Sequence, residues 1–149
     1  QVLVRDDGFA KSFFDTRKMT AFTLSNGLRV LHVHNPTGER FKLSVSVGAG
    51  AFHDPEDSQG LAHLTEHMVF SQSGNQEDSL YRFVLDHEGS VNGHTHSDTT
   101  SFFVDLKEGD TGICEKVIAK MGLALSTLKL ADDLVKAEQI VIDEEYERE

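Results

Sequence analysis

From Thr20 onward the apolar and polar positions follow two rhythms, one with the period of a strand and one with that of a helix. Phe22-Thr23-Leu24, then Asn26-Gly27, then Leu28-Arg29-Val30-Leu31-His32-Val33 reads as a strand, a tight turn and a strand. Asn-Gly supplies the two positive-φ positions that a type I′ hairpin turn requires. Pro36-Thr37-Gly38 breaks the second strand. Leu43-Ser44-Val45-Ser46-Val47 alternates strictly, so a third strand should bury one face and show its serines on the other. The small residues Gly48-Ala49-Gly50-Ala51 let another backbone or a ligand come close. Asp54-Pro55-Glu56-Asp57-Ser58 then leads into a helix over about Gly60 to Phe70, with Leu61, Leu64, Met68 and Phe70 giving it an apolar side. A second helix starts at Asn75 to Glu77, buries Leu80, Phe83, Val84 and Leu85, and ends near Gly89. Thr100 to Leu106 returns to alternation, Phe102, Val104 and Leu106 against Phe103 and Asp105. Ile113 to Leu128 sets Val117, Met121, Leu125 and Leu128 at turn-length spacing, and a last helix begins near Ala131-Asp132-Asp133. Strands first and helices mostly later is an α+β order, an antiparallel sheet packed with helices. Residues 1–19 carry little periodicity and read as a leading extension; residues 20–149 read as one domain.

The first helix holds the chemistry. His63-Leu64-Thr65-Glu66-His67 is an H-x-x-E-H pentapeptide, the reverse of the zincin signature H-E-x-x-H. Residues four apart stand above one another on a helix, so both imidazoles can reach one metal ion. Glu66 lies along the same face. Two imidazoles and one further donor make a tetrahedral zinc site with a position open to water, and a carboxylate beside it suits a general base.

Composition narrows the partners. Lys+Arg 14 against Asp+Glu 25 gives a net charge of −11, which argues against nucleic acid and against an anionic membrane surface. No apolar run approaches the ~18 residues of a membrane span. The one cysteine, Cys114, cannot form an internal disulfide, and a reducing, cytoplasmic setting is the expectation.

Candidates for a third ligand are the six other histidines, Cys114 and many carboxylates. His94-x-His96 could share a metal if it lay on a strand, but its Gly and Ser neighbours read as a loop with two solvated histidines. On the last helix Glu138 and Glu145 are seven apart, hence on one face, while Glu144 is ~100° round from Glu145. A helix laid across the motif helix could offer one carboxylate to zinc and the other to a ligating histidine. Spacing alone prefers this only slightly to a solvated run of charges.

Taken together, Gly60-Leu61-Ala62 running into His63 to Phe70, Asp54-Pro55 before it, Gly89-Ser90-Val91-Asn92-Gly93-His94-Thr95 after it, Thr100-Ser101-Phe102-Phe103 and the acidic last helix resemble the inverzincin metallopeptidases of the pitrilysin and insulysin family. The resemblance implies that His63, His67 and Glu145 bind one zinc ion, that Glu66 is the catalytic base, and that Glu138 orients the site without touching the metal. It further implies that Asn92 hydrogen-bonds the substrate backbone, with Gly93 and His94 lining the cleft. The fold implied is an α/β roll, and the activity a zinc-dependent endopeptidase acting on peptides. Residues 20–149 would be the N-terminal portion of the zinc-binding domain, with its partners the C-terminal domains of the same protein, and the isolated piece weak or inactive. The strand along whose edge a peptide lies would be outside this chain, and an incomplete sheet would leave an edge open to self-association. Two departures stand out: Ser71-Gln72-Ser73-Gly74 replaces the commoner Leu-Gly-Thr, which should matter little to chemistry, and Gly93-His94 replaces Ala and an aromatic. A competing reading is a non-catalytic peptide-binding or assembly module of the same fold, against which the intact set of metal residues counts. A structural zinc site is disfavoured by the lone cysteine.

Overall fold

A computed structural model describes residues 1–71, 79–107, 111–128 and 130–148. It divides into two compact units, residues 1–39 and residues 40–149.

The first unit is a three-stranded antiparallel meander of β1 (Val2–Asp6), β2 (Lys18–Leu24) and β3 (Arg29–His34), in the order β1-β2-β3. None of its residues is fully buried. Two expectations are corrected here. The leading segment contains a strand: β1 pairs with β2 through Val2 opposite Leu24 and Arg5 opposite Phe22, with a register shift between Val2 and Val4. Val2-Leu3-Val4 is an apolar run without alternation, so it gave no strand period to read. The hairpin turn also differs. Only Gly27 has positive φ, at 87°. Its N–H donates to the Leu24 carbonyl (2.9 Å) and the Leu24 N–H donates to the Leu28 carbonyl (2.9 Å). This is a three-residue loop closed by one left-handed glycine, not a two-residue type I′ turn.

The second unit carries the site. Its sheet has the order β4-β6-β5, all antiparallel, from β4 (Arg40–Val47), β5 (Ser90–Thr95) and β6 (Thr100–Lys107). Its helices are α1 (Leu61–Ser71), α2 (Leu80–Asp86), α3 (Thr111–Ser126) and α4 (Asp132–Tyr146). β4 and β6 alternate as their sequences predict, Phe102, Val104 and Leu106 buried and Ser44 and Ser46 exposed. That inner face meets Val69 of α1, Leu80 and Val84 of α2, and Val117 and Met121 of α3 in one cluster. Each side chain so buried contributes roughly 1.5–3 kcal/mol, which fixes α1 against the sheet. The expected start of the second helix at Asn75 to Glu77 lies outside the described residues; α2 itself opens on Ser79, whose hydroxyl accepts from the Arg82 N–H (3.0 Å). β5 takes His94, expected in a loop, into a strand, while His96 lies just beyond its end. Its residues are poor strand formers, yet it pairs in register with β6 from Ser90 opposite Asp105 to Thr95 opposite Thr100. Tertiary pairing overrides propensity. No helix among the described residues is long and apolar enough to cross a membrane.

Candidate metal centre

The entry to α1 is held from outside the helix. Gly60, with φ of 91°, turns the chain into the first turn. The Asp54 carboxylate accepts from the Gly60 and Ala62 N–H groups, both at 2.8 Å. An anion at that end satisfies donors the helix itself leaves open and complements its dipole. With its start fixed, α1 presents three faces. Met68 and Val69 enter the core, His63 and His67 face α4, and Glu66 faces β5.

On the α4 side, His63 Nε2 and His67 Nε2 are 3.2 Å apart. Glu145 Oε2 lies 3.5 Å from the first and 3.6 Å from the second. Zinc bonds of about 2.0–2.1 Å in a tetrahedron place neighbouring ligand atoms roughly 3.3–3.4 Å apart. The three donors therefore form a triangle of the size a zinc ion needs, and the residues fit that ion. Among the described residues this is the one group of three or more His, Cys or acidic side chains arranged to hold a metal. Glu138, two turns before Glu145, places Oε2 3.0 Å from His67 Nδ1. That contact sets the tautomer: Nδ1 carries the proton and donates it to the carboxylate, leaving the Nε2 lone pair facing the triangle. The other Glu138 oxygen accepts a 2.5 Å hydrogen bond from Ser71 Oγ. His63 has no such carboxylate among the described residues; its ring instead meets the Tyr146 ring edge to face, centroids 6.2 Å apart. Glu144 points elsewhere, pairing with Arg148 at 3.0 Å.

On the β5 side, Glu66 is 7% exposed and its Oε2 accepts from Thr95 Oγ1 at 2.6 Å. A Cβ added at Gly93 would run into the Glu66 carboxylate, so glycine here lets strand and acid come together. Asn92, Gly93 and His94 all line the same open groove, of about 1640 Å³, as His63, Glu66, His67, Glu138 and Glu145. Their side chains divide by alternation. Gly93 and Thr95 face Glu66, while Asn92 and His94 turn to the other face of the sheet. There Asn92 Oδ1 accepts from the Gly93 N–H (2.9 Å) and the His94 ring sits 5.7 Å from Phe103. His94 and His96 rings are 6.3 Å apart, with no third donor beside them among the described residues. Thr95 and Ser71 escaped the sequence reading. Thr95 was within reach of it, since a strand through Gly93 would have put Thr95 on the same side two residues on. Ser71 was not, because its partner lies 67 residues away.

Residues 29–148 match the family described as Insulinase (Peptidase family M16). Over 94 residues the chain is 37% identical to "Insulin-degrading enzyme-like 2" of Arabidopsis thaliana, covering 62% of this chain and 10% of that protein. Over 103 residues it is 31% identical to "Insulin-degrading enzyme" of Mus musculus, covering 68% of this chain and 10% of that protein. A crystal structure of pitrilysin superposes with a TM-score of 0.87 at 28% identity, covering 98% of this chain and 15% of that one. The chain thus spans about a tenth of the length of the curated relatives it matches.

Proposed function

Because this chain belongs to the insulinase family, peptidase family M16, we propose that it supplies the zinc-binding and proton-transferring half of an endopeptidase site that cuts unfolded peptides. The observation that carries this reading is the triangle of His63, His67 and Glu145 with the buried Glu66 carboxylate beside it. Zinc, when bound, would polarise a peptide carbonyl and acidify a water molecule. Every other task falls to the chain's own residues. His63 and His67 present their Nε2 atoms from one helix face, and Glu145 closes the triangle from the other helix. Glu138 keeps the His67 ring in the tautomer that leaves Nε2 free. Glu66 takes a proton from the attacking water and returns it to the leaving amine; Thr95 holds one of its oxygens, leaving Oε1 for that exchange.

The substrate class follows from the groove. At about 1640 Å³ it exceeds the ~300–1,000 Å³ of small-molecule pockets and suits a length of extended chain. Among the described residues β5 is an edge strand of its sheet, so the strand expected outside this chain has a candidate within it, and Asn92, Gly93 and His94 offer main-chain groups along that groove. The C-terminal domains of the same protein are the proposed partners that enclose the peptide. Stripping metal from the complete protein with a chelator should abolish cleavage of an unfolded fluorogenic peptide, and stoichiometric zinc should restore it. Cleavage that survives in metal-free protein contradicts the proposal.

A further inference from the structure

Ser71 stands at the last position of α1, one turn beyond His67. A serine there ordinarily turns its hydroxyl back to the carbonyl four residues earlier. This one does not. Its Oγ reaches across to α4 and donates to Glu138 Oε1 at 2.5 Å, while Glu138 Oε2 accepts from His67 Nδ1 at 3.0 Å. An ionised carboxylate only accepts, so both partners must be donors, and a 2.5 Å O–H···O⁻ distance is that of a charge-assisted bond. Both donors ride on the same rigid helix. They grip the two oxygens of one carboxylate brought by another helix, and the side chains of His67 and Glu138 are each only 16% exposed.

We propose that Ser71 is a positioning residue for the metal centre, its hydroxyl fixing the Glu138 carboxylate so that Glu138 in turn fixes His67. The inference rests on the zinc reading of His63, His67 and Glu145. The physical case is one of degrees of freedom. Held at Oε2 alone, a glutamate can still rotate about its terminal bond and carry the His67 ring with it. Held at both oxygens, it cannot. His63 makes the contrast, since no carboxylate-and-hydroxyl chain stands behind it among the described residues. The site is therefore anchored through His67, and Ser71 ends the chain Ser71–Glu138–His67 that does the anchoring.

The test is zinc retention by the complete protein, measured by competition with a chromophoric chelator and by the zinc dissociation rate. Partners behind metal-bound histidines are worth about 10–100-fold in affinity, and a hydroxyl one step further out should be worth about 3–10-fold. Ser71→Ala should loosen zinc by that factor, and Ser71→Thr, which keeps the hydroxyl, should recover most of it. In a Glu138→Ala background the further change Ser71→Ala should have no effect, because the chain is already cut. The melting temperature of the metal-free protein separates this from a simple tether between α1 and α4. Unchanged zinc retention in Ser71→Ala, with or without a lowered melting temperature, overturns the proposal. So does an equal loss in the Glu138→Ala background. Zinc binding that does not depend on His67 would instead remove the underlying reading of the site, which the His67→Ala protein reports separately.

Discussion

The two walls of the groove are built on different principles. The α4 wall is a set of mutual contacts: two imidazoles, two carboxylates and a hydroxyl, each within 3.6 Å of another. The β5 wall is one carboxylate, buried to 7% exposure, with a single hydroxyl on one oxygen and a glycine cleared away in front of it. The first arrangement immobilises; the second, among the described residues, holds one carboxylate oxygen by a hydroxyl and lays the other against Gly93. A site that must both hold a cation and move a proton needs both kinds of wall. Here they come from the same helix because His63 and His67 lie about 40° apart on it, while Glu66 is turned towards the strand.

The comparison breaks most visibly at His67. His67→Ala removes one corner of the triangle and takes the donor from Glu138 Oε2, so the complete protein should lose both bound zinc and peptide cleavage; elemental analysis and a peptide assay report the two. Glu66→Gln acts on the other wall alone. Zinc content should stay as in the unaltered protein while cleavage falls by roughly 10²–10⁴-fold, the usual worth of a general base. Thr95→Val keeps shape and removes one hydrogen bond to that carboxylate. Steady-state kinetics should show kcat lowered roughly 10–100-fold with zinc content unchanged, in line with the ~1.5–3 kcal/mol of a bond to a charged group.

The smallest effect belongs to a control remote from both walls. On the open face of the sheet, hydrogen bonds from Lys42 (2.7 Å) and from Arg40 (2.5 Å) hold the Asp105 carboxyl below its ordinary value of 3.8. A depressed carboxylate stabilises the fold fully above its unfolded value and loses that contribution as pH falls through the folded one. Asp105→Asn should therefore lower stability slightly at neutral pH, with the difference fading below about pH 4, the usual carboxylate range. Its zinc content and cleavage should match the unaltered protein.

How far the sequence could be read depended on whether a contact was local. H-x-x-E-H needs only the helix repeat, which brings His63 and His67 together facing α4, whereas Glu66, expected along that same face, turns towards Gly93 and Thr95 of β5 because it lies roughly 60–100° round the helix from them. Glu138 and Glu145 share a face by their spacing of seven, which favoured them only slightly among the many carboxylates of an acidic helix until the resemblance gave each a role. β4, β6 and α3 were legible because each buries one face and alternates or turns accordingly. β5 was hidden because Ser90, Asn92 and Gly93 carry the signature of a loop, and its pairing with β6 is a fact of the tertiary fold. The hairpin turn was misread because Asn-Gly is compatible with two loop lengths, and only the bond between Leu24 and Gly27 decides which. Ser71 was dismissed for the same reason that it matters: its partner is brought by another helix.

The central claim is that one zinc ion sits in the triangle of His63, His67 and Glu145. Anomalous diffraction at the zinc edge from crystals of the complete protein tests it most directly. A single peak is expected about 2.0–2.2 Å from His63 Nε2, His67 Nε2 and a carboxylate oxygen of Glu145, with Glu138 hydrogen-bonded to His67 and off the metal. A peak held by His94 and His96, or no peak at the H-x-x-E-H helix in zinc-saturated crystals, would contradict it.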